Sequence, residues 1–414
     1  MGKNILFISY YSPPNRTVAS NRIYNIIEQL IEHGHSITLI TPDIKYFKNI
    51  DKKYLNFPNL RVEYTGYFLY SISGESGKII SRALSKILRI LGIEPCIGWM
   101  VSLIQKYIGI NKDTYFDFVF ISGGPFISFI PLLLLDNIYK NKINFILDYR
   151  DLWTDNPHNT IIYPIRFLFE KIEKKLLKKA KCIFAVSPSI KDILIKKYLI
   201  DSNKVYVLTN GFNIKDFNIG TGLSTNKKNK VFNIVYAGTF YKDLGEIDPV
   251  FSALKELKNK YRYDFIFDYY GSQENYVKEK GKIYGLLDNI RCYGLRDRDE
   301  VLNAIVNADC ALVIINSSKY NDDEKRGIIT GKLFECIALN PNTLVIAPED
   351  SDVNIILSDI GYDKSIYGLD IDGIINRIKY YINNPRRSVN KEAILKYSWN
   401  VLGDQLNDYI TKCI

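Results

Sequence analysis

A lysine and a glutamate lie close together near the start of a short predicted helix, in the stretch GIITGKLFE (327–335). Thr330, Gly331 and Lys332 open this helix, whose unpaired N–H groups carry about half a positive charge. An anion is stabilised there, and the ammonium group of Lys332 adds to the attraction. Glu335 would repel phosphate but suits two vicinal hydroxyls, such as those of a ribose. The pattern predicts a nucleotide site; a glutamate that only caps the helix is the alternative.

Three further polar stretches follow strand-like runs. In YAGTFYKD (236–243) a glycine-containing loop can approach a phosphate, and Lys242 can neutralise it. In DYRDLWTD (148–155) charged residues surround a tryptophan, which suits a cleft wall better than a core. In SPPNRTVASNR (12–22) Arg16 and Arg22 flank a helix start, and the loop could face an acceptor or a phosphate. A local Asp–Arg network and ordinary cap chemistry are the alternatives for the last two stretches.

These stretches lie within a repeating pattern of strand-like and helical segments. KNILFIS (3–9), an amphipathic helix and SITLITP (36–42) form a β–loop–α–β unit, which implies parallel strands with a right-handed crossover. After the charged stretch NKKNK (226–230), VFNIVYAG (231–238) starts the pattern again. The sequence therefore predicts an α/β protein with two doubly wound, Rossmann-like domains facing a central cleft, where ligands would bind.

The predicted domains are residues 1–212, which would bind the acceptor, and residues 213–385, which would bind the nucleotide. Residues 386–414 would form a C-terminal helix that crosses back to the first domain. The 414 residues carry a net charge of +10, which fits a nucleic acid, an anionic membrane or a phosphate-bearing small molecule as partner. Compositional bias is an equally good explanation of the basic excess.

Cysteine usage and hydropathy indicate a cytoplasmic protein. The six cysteines form no C-x-x-C pair, and most lie in apolar runs, as expected in a reducing compartment. Three histidines argue against a histidine-rich metal site. No apolar run reaches the roughly 18 residues that span a bilayer, and the N-terminus does not fit a signal peptide.

The stretch GKIISRALSKILRIL (77–91) predicts an amphipathic helix on an anionic membrane surface. Isoleucines and leucines share one helical face, and lysines and arginines gather on another. A basic-faced helix packed on its own domain is the alternative.

The order and spacing of these landmarks, with GHSITLITP, FVFISGGP, AVSPSI, TNGF and NADCAL, resemble the family 4 glycosyltransferases of the GT-B fold. The resemblance covers nearly the whole chain and is closest to bacterial members that build surface polysaccharides. It implies a retaining, hexosyltransferase-like enzyme that needs neither metal nor cofactor. The sugar would pass from a UDP- or GDP-sugar to a glycan or polyprenyl-linked acceptor at the inner face of the cell membrane. A leaving phosphate oxygen would help to remove the acceptor's proton, so paired carboxylates are not needed.

The resemblance also implies residue roles. Lys242 and Lys332 would face the diphosphate, Glu335 the ribose, and the backbone around Gly294 and Leu295 the base.

The chain departs from the family pattern at three positions. Gly327 replaces a glutamate, Thr239 an arginine and Arg150 a histidine, which makes Asp151 the better candidate for acceptor contact. The candidate catalytic residues are Arg150, Asp151 and Lys242, and the candidate substrate-binding residues are Asn15, Arg22, Gly238, Thr239, Gly294, Leu295, Arg326, Thr330, Gly331, Lys332 and Glu335.

Two other functional classes remain. A sugar-nucleotide epimerase of the same double fold would be expected to have more acid–base groups in its cleft than this chain offers. A basic nucleic-acid-binding protein is suggested by charge alone, and no recognised nucleic-acid motif supports it.

Overall fold

The computed structural model describes residues 2–15, 18–47, 50, 57–66, 86–88, 90–94, 96–112, 114–140, 142–156, 161–217, 231–240, 247–315, 323–385 and 388–413. The chain divides into two compact units. The first unit contains Met1–Thr209 and Leu402–Ile414, and the second contains Asn210–Val401. The sequence prediction placed the changes of domain at 212 and 386. In the structure the second change of unit comes at Leu402, inside the continuous helix Trp399–Cys413, where no break in composition marks it.

The first unit is built on a seven-stranded parallel sheet with the strand order β3-β2-β1-β4-β5-β6-β7. Its five inner strands are largely buried on both faces, which explains why they are mostly apolar runs, whereas its two edge strands are only partly buried. The strands are β1 Asn4–Ile8, β2 Ser36–Pro42, β3 Leu60–Thr65, β4 Phe118–Ser122, β5 Phe145–Tyr149, β6 Cys182–Ala185 and β7 Val205–Val207. The helices are α1 Val18–Glu32, α2 Ile97–Ile110, α3 Ile130–Ile138, α4 Ile165–Lys179 and α5 Pro188–Tyr198.

The second unit has a five-stranded parallel sheet with the order β10-β9-β8-β11-β12 and an apolar cluster on each face. The strands are β8 Phe232–Ala237, β9 Phe265–Tyr270, β10 Ile290–Cys292, β11 Cys310–Ile314 and β12 Thr343–Ile346. The helices are α6 Ile214–Phe217, α7 Asp248–Asn259, α8 Glu274–Tyr284, α9 Arg298–Asn307, α10 Asp323–Arg326, α11 Gly331–Leu339, α12 Val353–Asp359, α13 Ile371–Asn383, α14 Lys391–Leu395 and α15 Trp399–Cys413.

The prediction of two doubly wound α/β sheets is confirmed. In each sheet the strand order reverses once, between β1 and β4 in the first unit and between β8 and β11 in the second. Ligands of such sheets bind beyond the carboxyl ends of the strands at this point of reversal. The loops after β8 and β11 are therefore the places to look for a nucleotide site. Among the residues described, no helix is both long and apolar enough to cross a membrane.

A buried carboxyl lies beneath the DYRDLWTD stretch of the first unit. Glu173, on α4, is 1% exposed and accepts hydrogen bonds from the hydroxyls of Thr154 at 2.7 Å and Tyr198 at 2.6 Å. Burial raises the pKa of Glu173 from 4.5 to about 7, although both hydrogen bonds lower it. Between pH 4.5 and about 7, Glu173 is therefore protonated in the folded protein and ionised in the unfolded chain.

Replacing Glu173 by glutamine should make the stability of the protein less sensitive to pH. The native Glu173 contribution is fully present below pH 4.5 and is lost as the pH rises through about 7. This loss is on the order of 3 kcal/mol, at about 1.4 kcal/mol per pKa unit. Urea unfolding at pH 5 and pH 8.5 should show a gain for Glu173→Gln only at the higher pH.

Glu170 provides the control because its pKa is shifted in the opposite direction, downwards. Burial alone would raise the pKa of Glu170, but hydrogen bonds from Lys197 and Arg166 hold it below its usual value. Glu170→Gln should therefore lose stability relative to the native protein at the higher pH. A Glu173→Gln variant whose stability parallels that of the native protein at both pH values would contradict the prediction.

Candidate functional site

The two predicted phosphate-facing stretches meet at the point of strand reversal in the second unit. Gly238 directly follows β8, and Lys332 lies in the first turn of α11, which comes between β11 and β12. A Cβ atom added to Gly238 would collide with Nζ of Lys332 and would approach the hydroxyl of Tyr236. The side chain of Lys332 therefore lies directly over the Gly238 backbone, which only a glycine leaves open.

The loop after β8 is held by hydrogen bonds to β9 and to the residues after it. Gly238 N donates to Tyr270 O at 2.8 Å, and the Tyr269 hydroxyl donates to Gly238 O at 3.0 Å. Gln273 accepts from Phe240 N at 2.6 Å and donates to Phe240 O at 3.0 Å. These bonds fix the backbone from Gly238 to Phe240, including Thr239. Lys242 lies outside the described residues.

Lys332 is largely removed from water at the start of α11. Desolvation lowers the pKa of its ammonium group, and the nearby Cys336 and Glu335 oppose this shift. A bound phosphate would favour the charged form, because an anion close to a desolvated cation offsets the cost of its burial. The position therefore suits an anionic ligand.

Thr330 precedes α11 with extended backbone angles, φ −87° and ψ 147°, but its side chain makes no cap hydrogen bond. Its hydroxyl is buried and lacks a hydrogen-bond partner among the described residues. A helix start without a side-chain cap leaves its first N–H groups available to a ligand. Thr330, Gly331 and Lys332 thus form one surface at this helix N-terminus.

Glu335, one turn into α11, is paired with an arginine that the sequence analysis did not select. Arg298 donates to Glu335 Oε1 from Nη2 at 2.7 Å and from Nε at 3.2 Å. The same arginine donates from Nη1 and Nη2 to the two oxygens of Asp216 at 3.0 and 2.7 Å. The hydrogen bonds described for Glu335 thus come from Arg298 and not from a backbone N–H, which does not favour a capping role.

Gly294 and Leu295 form a turn immediately after β10. Gly294 has φ +73°, which favours glycine, and its carbonyl accepts a hydrogen bond from Gly271 N at 2.9 Å. Leu295 is 76% exposed. The rings of Tyr270, at the end of β9, and Tyr293, just after β10, stack with centroids 4.7 Å apart. Contact between this turn and a base stays a prediction.

Arg326 ends α10, in the segment before α11. Its Nε donates to Asp350 Oδ2 at 2.6 Å, and its carbonyl accepts from Asp352 N at 3.0 Å. The arginine therefore ties the segment before α11 to the loop after β12. Gly327, which replaces the family's first glutamate, is buried.

In the first unit, Arg22 and Asp148 form a buried ion pair. Arg22 is 4% exposed and donates to the Asp148 oxygens at 2.7 and 3.3 Å, and to the carbonyls of Leu208 and Thr209, each at 2.9 Å. Ser122 donates to the same carboxylate at 2.7 Å. Arg22 is thus engaged by protein groups, and its contact with a substrate stays a prediction.

Arg150 holds three backbone carbonyls, those of Ala19, Gly123 and Gly124, at 3.1, 2.7 and 2.6 Å. Desolvation lowers the pKa of its guanidinium group, while Asp148 and Asp151 oppose this shift. These bonds fix the loop after β4 against the start of α1.

Asp151, the neighbouring candidate, is exposed, although protein atoms crowd around its carboxyl group. This partial desolvation raises the pKa of its carboxyl from 3.8 to about 6, against the lowering effects of Arg150 and Arg22. Asn15 is 5% exposed, and its backbone N donates to Ser12 O at 3.0 Å. Of these first-unit candidates, Asp151 combines exposure with a pKa near neutrality.

The family model for glycosyltransferase family 4 matches residues 19–216, which include nearly all of the sheet of the first unit beyond β1. The match covers just under half of the chain, and over this part the chain is a glycosyltransferase of the family 4 type. No curated protein sequence matches this glycosyltransferase.

Solved structures are similar to the glycosyltransferase over its whole length. A glycosyltransferase from Rickettsia africae ESF-5 is 16% identical with a TM-score of 0.65, and the match covers 100% of this chain and 98% of that one. The sucrose-phosphate synthase of Thermosynechococcus elongatus is 14% identical with a TM-score of 0.69, covering 99% and 98%. Anabaena HepE, in complex with UDP and glucose, is 12% identical with a TM-score of 0.64, covering 99% and 100%. These likenesses show that the fold is GT-B.

The sequence patterns of the glycosyltransferase did not single out Arg298, Asp216 or Gln273. Arg298 lies in the charged run GLRDRDE (294–300), where nothing in the spacing separates it from its charged neighbours. Asp216 follows the TNGF landmark, and Gln273 lies shortly after β9, so neither falls within a stretch that the sequence singled out. Their roles depend on contacts between segments far apart in the chain, which no local pattern reveals.

Proposed function

We propose that this glycosyltransferase moves a sugar from a nucleotide-diphosphate sugar to a glycan or polyprenyl-linked acceptor, with retention of anomeric configuration. The observation that carries the donor assignment is the position of Lys332 Nζ over the Gly238 backbone, at the uncapped start of α11. The diphosphate would lie there, against Thr330 and Gly331, and Glu335 would accept hydrogen bonds from the ribose. The UDP held by the Anabaena neighbour supports UDP as the first donor nucleotide to test.

The chemistry needs few protein groups. The bond between C1 of the sugar and the β-phosphate oxygen breaks, and the acceptor oxygen bonds to C1 on the same face. The acceptor proton passes to the departing phosphate oxygen, so the diphosphate itself acts as the base. Lys332 and the helix start would stabilise the charge that develops on the diphosphate, without a metal. Asp151, with a pKa of about 6, would bind an acceptor hydroxyl.

A panel of UDP- and GDP-sugars with glycan and polyprenyl-phosphate acceptors tests this proposal. We expect nucleotide release that depends on an acceptor, that persists in EDTA, and a product whose anomeric configuration by NMR matches that of the donor. An inverted product would contradict retention. Interconversion of the sugar nucleotide without an acceptor would instead indicate an epimerase.

We also propose that the protein works at the inner face of a bacterial cell membrane, in capsule or lipopolysaccharide synthesis. Most of the predicted amphipathic helix 77–91 lies outside the described residues, but Ile87 and Ile90 are exposed by 51% and 66%. Ile162 N donates to Leu91 O at 3.4 Å, which brings a second apolar segment next to the end of the predicted helix. The exposed apolar side chains of this second segment are Ile162, Tyr163, Phe167 and Leu168. Lysines follow along α4, and Lys171 lies over the Phe167 ring at 4.2 Å.

Replacing Arg82, Lys86 and Arg89 by serine should weaken binding to anionic liposomes by on the order of a hundredfold, since each basic residue near such a surface contributes about 1 kcal/mol. Co-sedimentation measures this. The control is the triple serine variant of Lys255, Lys260 and Lys282, three exposed lysines of the second unit.

Unchanged liposome binding in the first triple variant, or an equal loss in the control, would refute the membrane proposal. Raised salt should weaken native binding, because the attraction to anionic lipid is screened.

A further inference from the structure

Arg298 connects two carboxylates that come from distant segments of the second unit. Asp216 belongs to α6, Arg298 begins α9, and Glu335 lies in α11. The side chains of the three residues are 12%, 32% and 23% exposed, so the group is only partly open to water. Ion pairs that are partly buried and share several hydrogen bonds hold their geometry better than isolated surface pairs.

The two carboxylates are held in different ways. Asp216 receives one hydrogen bond on each oxygen, at 3.0 and 2.7 Å, in a two-pronged arrangement. Glu335 receives both of its described hydrogen bonds from Arg298 on Oε1, at 2.7 and 3.2 Å. Asp216 thus anchors the guanidinium group, and the guanidinium group orients Glu335 through one of its two oxygens.

We infer that Arg298 is a positioning residue for the nucleotide: it holds the Glu335 carboxylate in the orientation that accepts hydrogen bonds from the ribose hydroxyls. This inference rests on the proposed donor site. Arg298 acts through Glu335 and is not assigned a contact with the nucleotide. Without it, the flexible glutamate side chain would have to be ordered each time a nucleotide binds, which weakens binding.

The arrangement requires an arginine and not simply a positive charge. Nε, Nη1 and Nη2 all donate, and Nη2 donates to both carboxylates. A lysine has one nitrogen with three donors and no planar fork, so it cannot reproduce this pattern. Arg298→Lys should therefore keep the charge and lose most of the orientation.

The test compares UDP with 2′-deoxy-UDP, because only the former offers a pair of ribose hydroxyls. A site built to bind a hydroxyl rejects the analogue that lacks it, so the native protein should prefer UDP by about tenfold or more in calorimetric titration. Arg298→Ala should bring this ratio close to one, and Arg298→Lys should lower it in part. Arg377→Ala is the control. Arg377 lies on α13 and is paired with Asp363 at 3.4 Å, so this variant should leave the ratio unchanged.

A double variant distinguishes positioning from a general structural effect. In a Glu335→Ala background, Arg298→Ala should leave the ratio where Glu335→Ala alone puts it, because the two residues act through one contact. A native ratio in Arg298→Ala, which means equal losses of affinity for UDP and for 2′-deoxy-UDP, would overturn the inference while the donor site stands. If Arg298→Ala does not fold, a native ratio in Arg298→Lys would overturn it equally. GDP and 2′-deoxy-GDP replace the uridine pair if the native protein binds GDP; if it binds neither nucleotide, the donor assignment itself fails.

Discussion

Replacing Lys332 by alanine should weaken the binding of UDP by about tenfold to a hundredfold and leave the binding of uridine nearly unchanged. Hydrogen bonds to charged groups contribute about 1.5–3 kcal/mol each. Lys332 lies at the start of α11 and directly over the backbone of Gly238, where the diphosphate is proposed to bind. Uridine lacks the diphosphate and therefore does not need the ammonium group. Calorimetric titration with UDP and with uridine measures the two affinities.

Gly238→Ala tests the same contact by displacing the Lys332 side chain instead of removing it. The added methyl group would meet Nζ of Lys332, the far end of a flexible side chain that can move away. The variant should therefore melt close to the native temperature but bind UDP more weakly, because the ammonium group is displaced.

Lys258→Ala is the control for both variants. Lys258 donates to Asn289 Oδ1 at 2.7 Å on another part of the second unit, and its removal should not change either affinity. Equal losses of UDP and uridine binding in Lys332→Ala would contradict a specific role in holding the diphosphate.

Replacing Glu335 by alanine should lower turnover of the nucleotide-sugar by about tenfold to a hundredfold, again from the loss of hydrogen bonds to a charged group. The melting temperature should change little, because Arg298 keeps both of its hydrogen bonds to Asp216. Initial rates with the donor identified in the sugar-nucleotide panel, measured beside a melting curve, test both expectations.

A glutamate that only capped the helix would behave in the opposite way. Its removal would cost about 1 kcal/mol of stability and would leave the affinity for the nucleotide unchanged. Glu335→Gln is the matched variant of similar size: it should melt close to the native temperature and recover little of the activity, since an amide is a weaker acceptor for two hydroxyls than a carboxylate. Native turnover in Glu335→Ala would refute the ribose assignment.

The sheets could be predicted because both faces of a parallel sheet are covered. Such strands are uninterrupted apolar runs, and KNILFIS and VFNIVYAG, for example, became β1 and β8. The end of the second unit could not be predicted in the same way. The change at Leu402 lies inside α15, where the stripe of apolar residues continues without interruption.

For the candidate site, local sequence pointed to Lys332 and Gly238, because each follows a strand and lies at a loop or helix start where ligands bind. The contact between them is a property of the fold, since β8 and β11 are neighbours only in the folded sheet. Arg298 was missed for a related reason. Its partners Asp216 and Glu335 are 82 and 37 residues away in the chain, so no spacing rule connects them.

The last helix also affects the order in which the protein can be completed during synthesis. Leu402–Ile414 belongs to the first unit, where Asp404 Oδ1 lies 3.0 Å from His33 Nε2 and Asn407 Oδ1 lies 3.0 Å from His35 Nε2. These partners are 371 and 372 residues apart, and the whole second unit is translated between them. At roughly 5–20 residues per second, the ribosome needs on the order of ten to forty seconds to make that unit. The first unit to leave the ribosome is therefore the last to be finished, and its helix-binding face must stay open in the nascent chain until then.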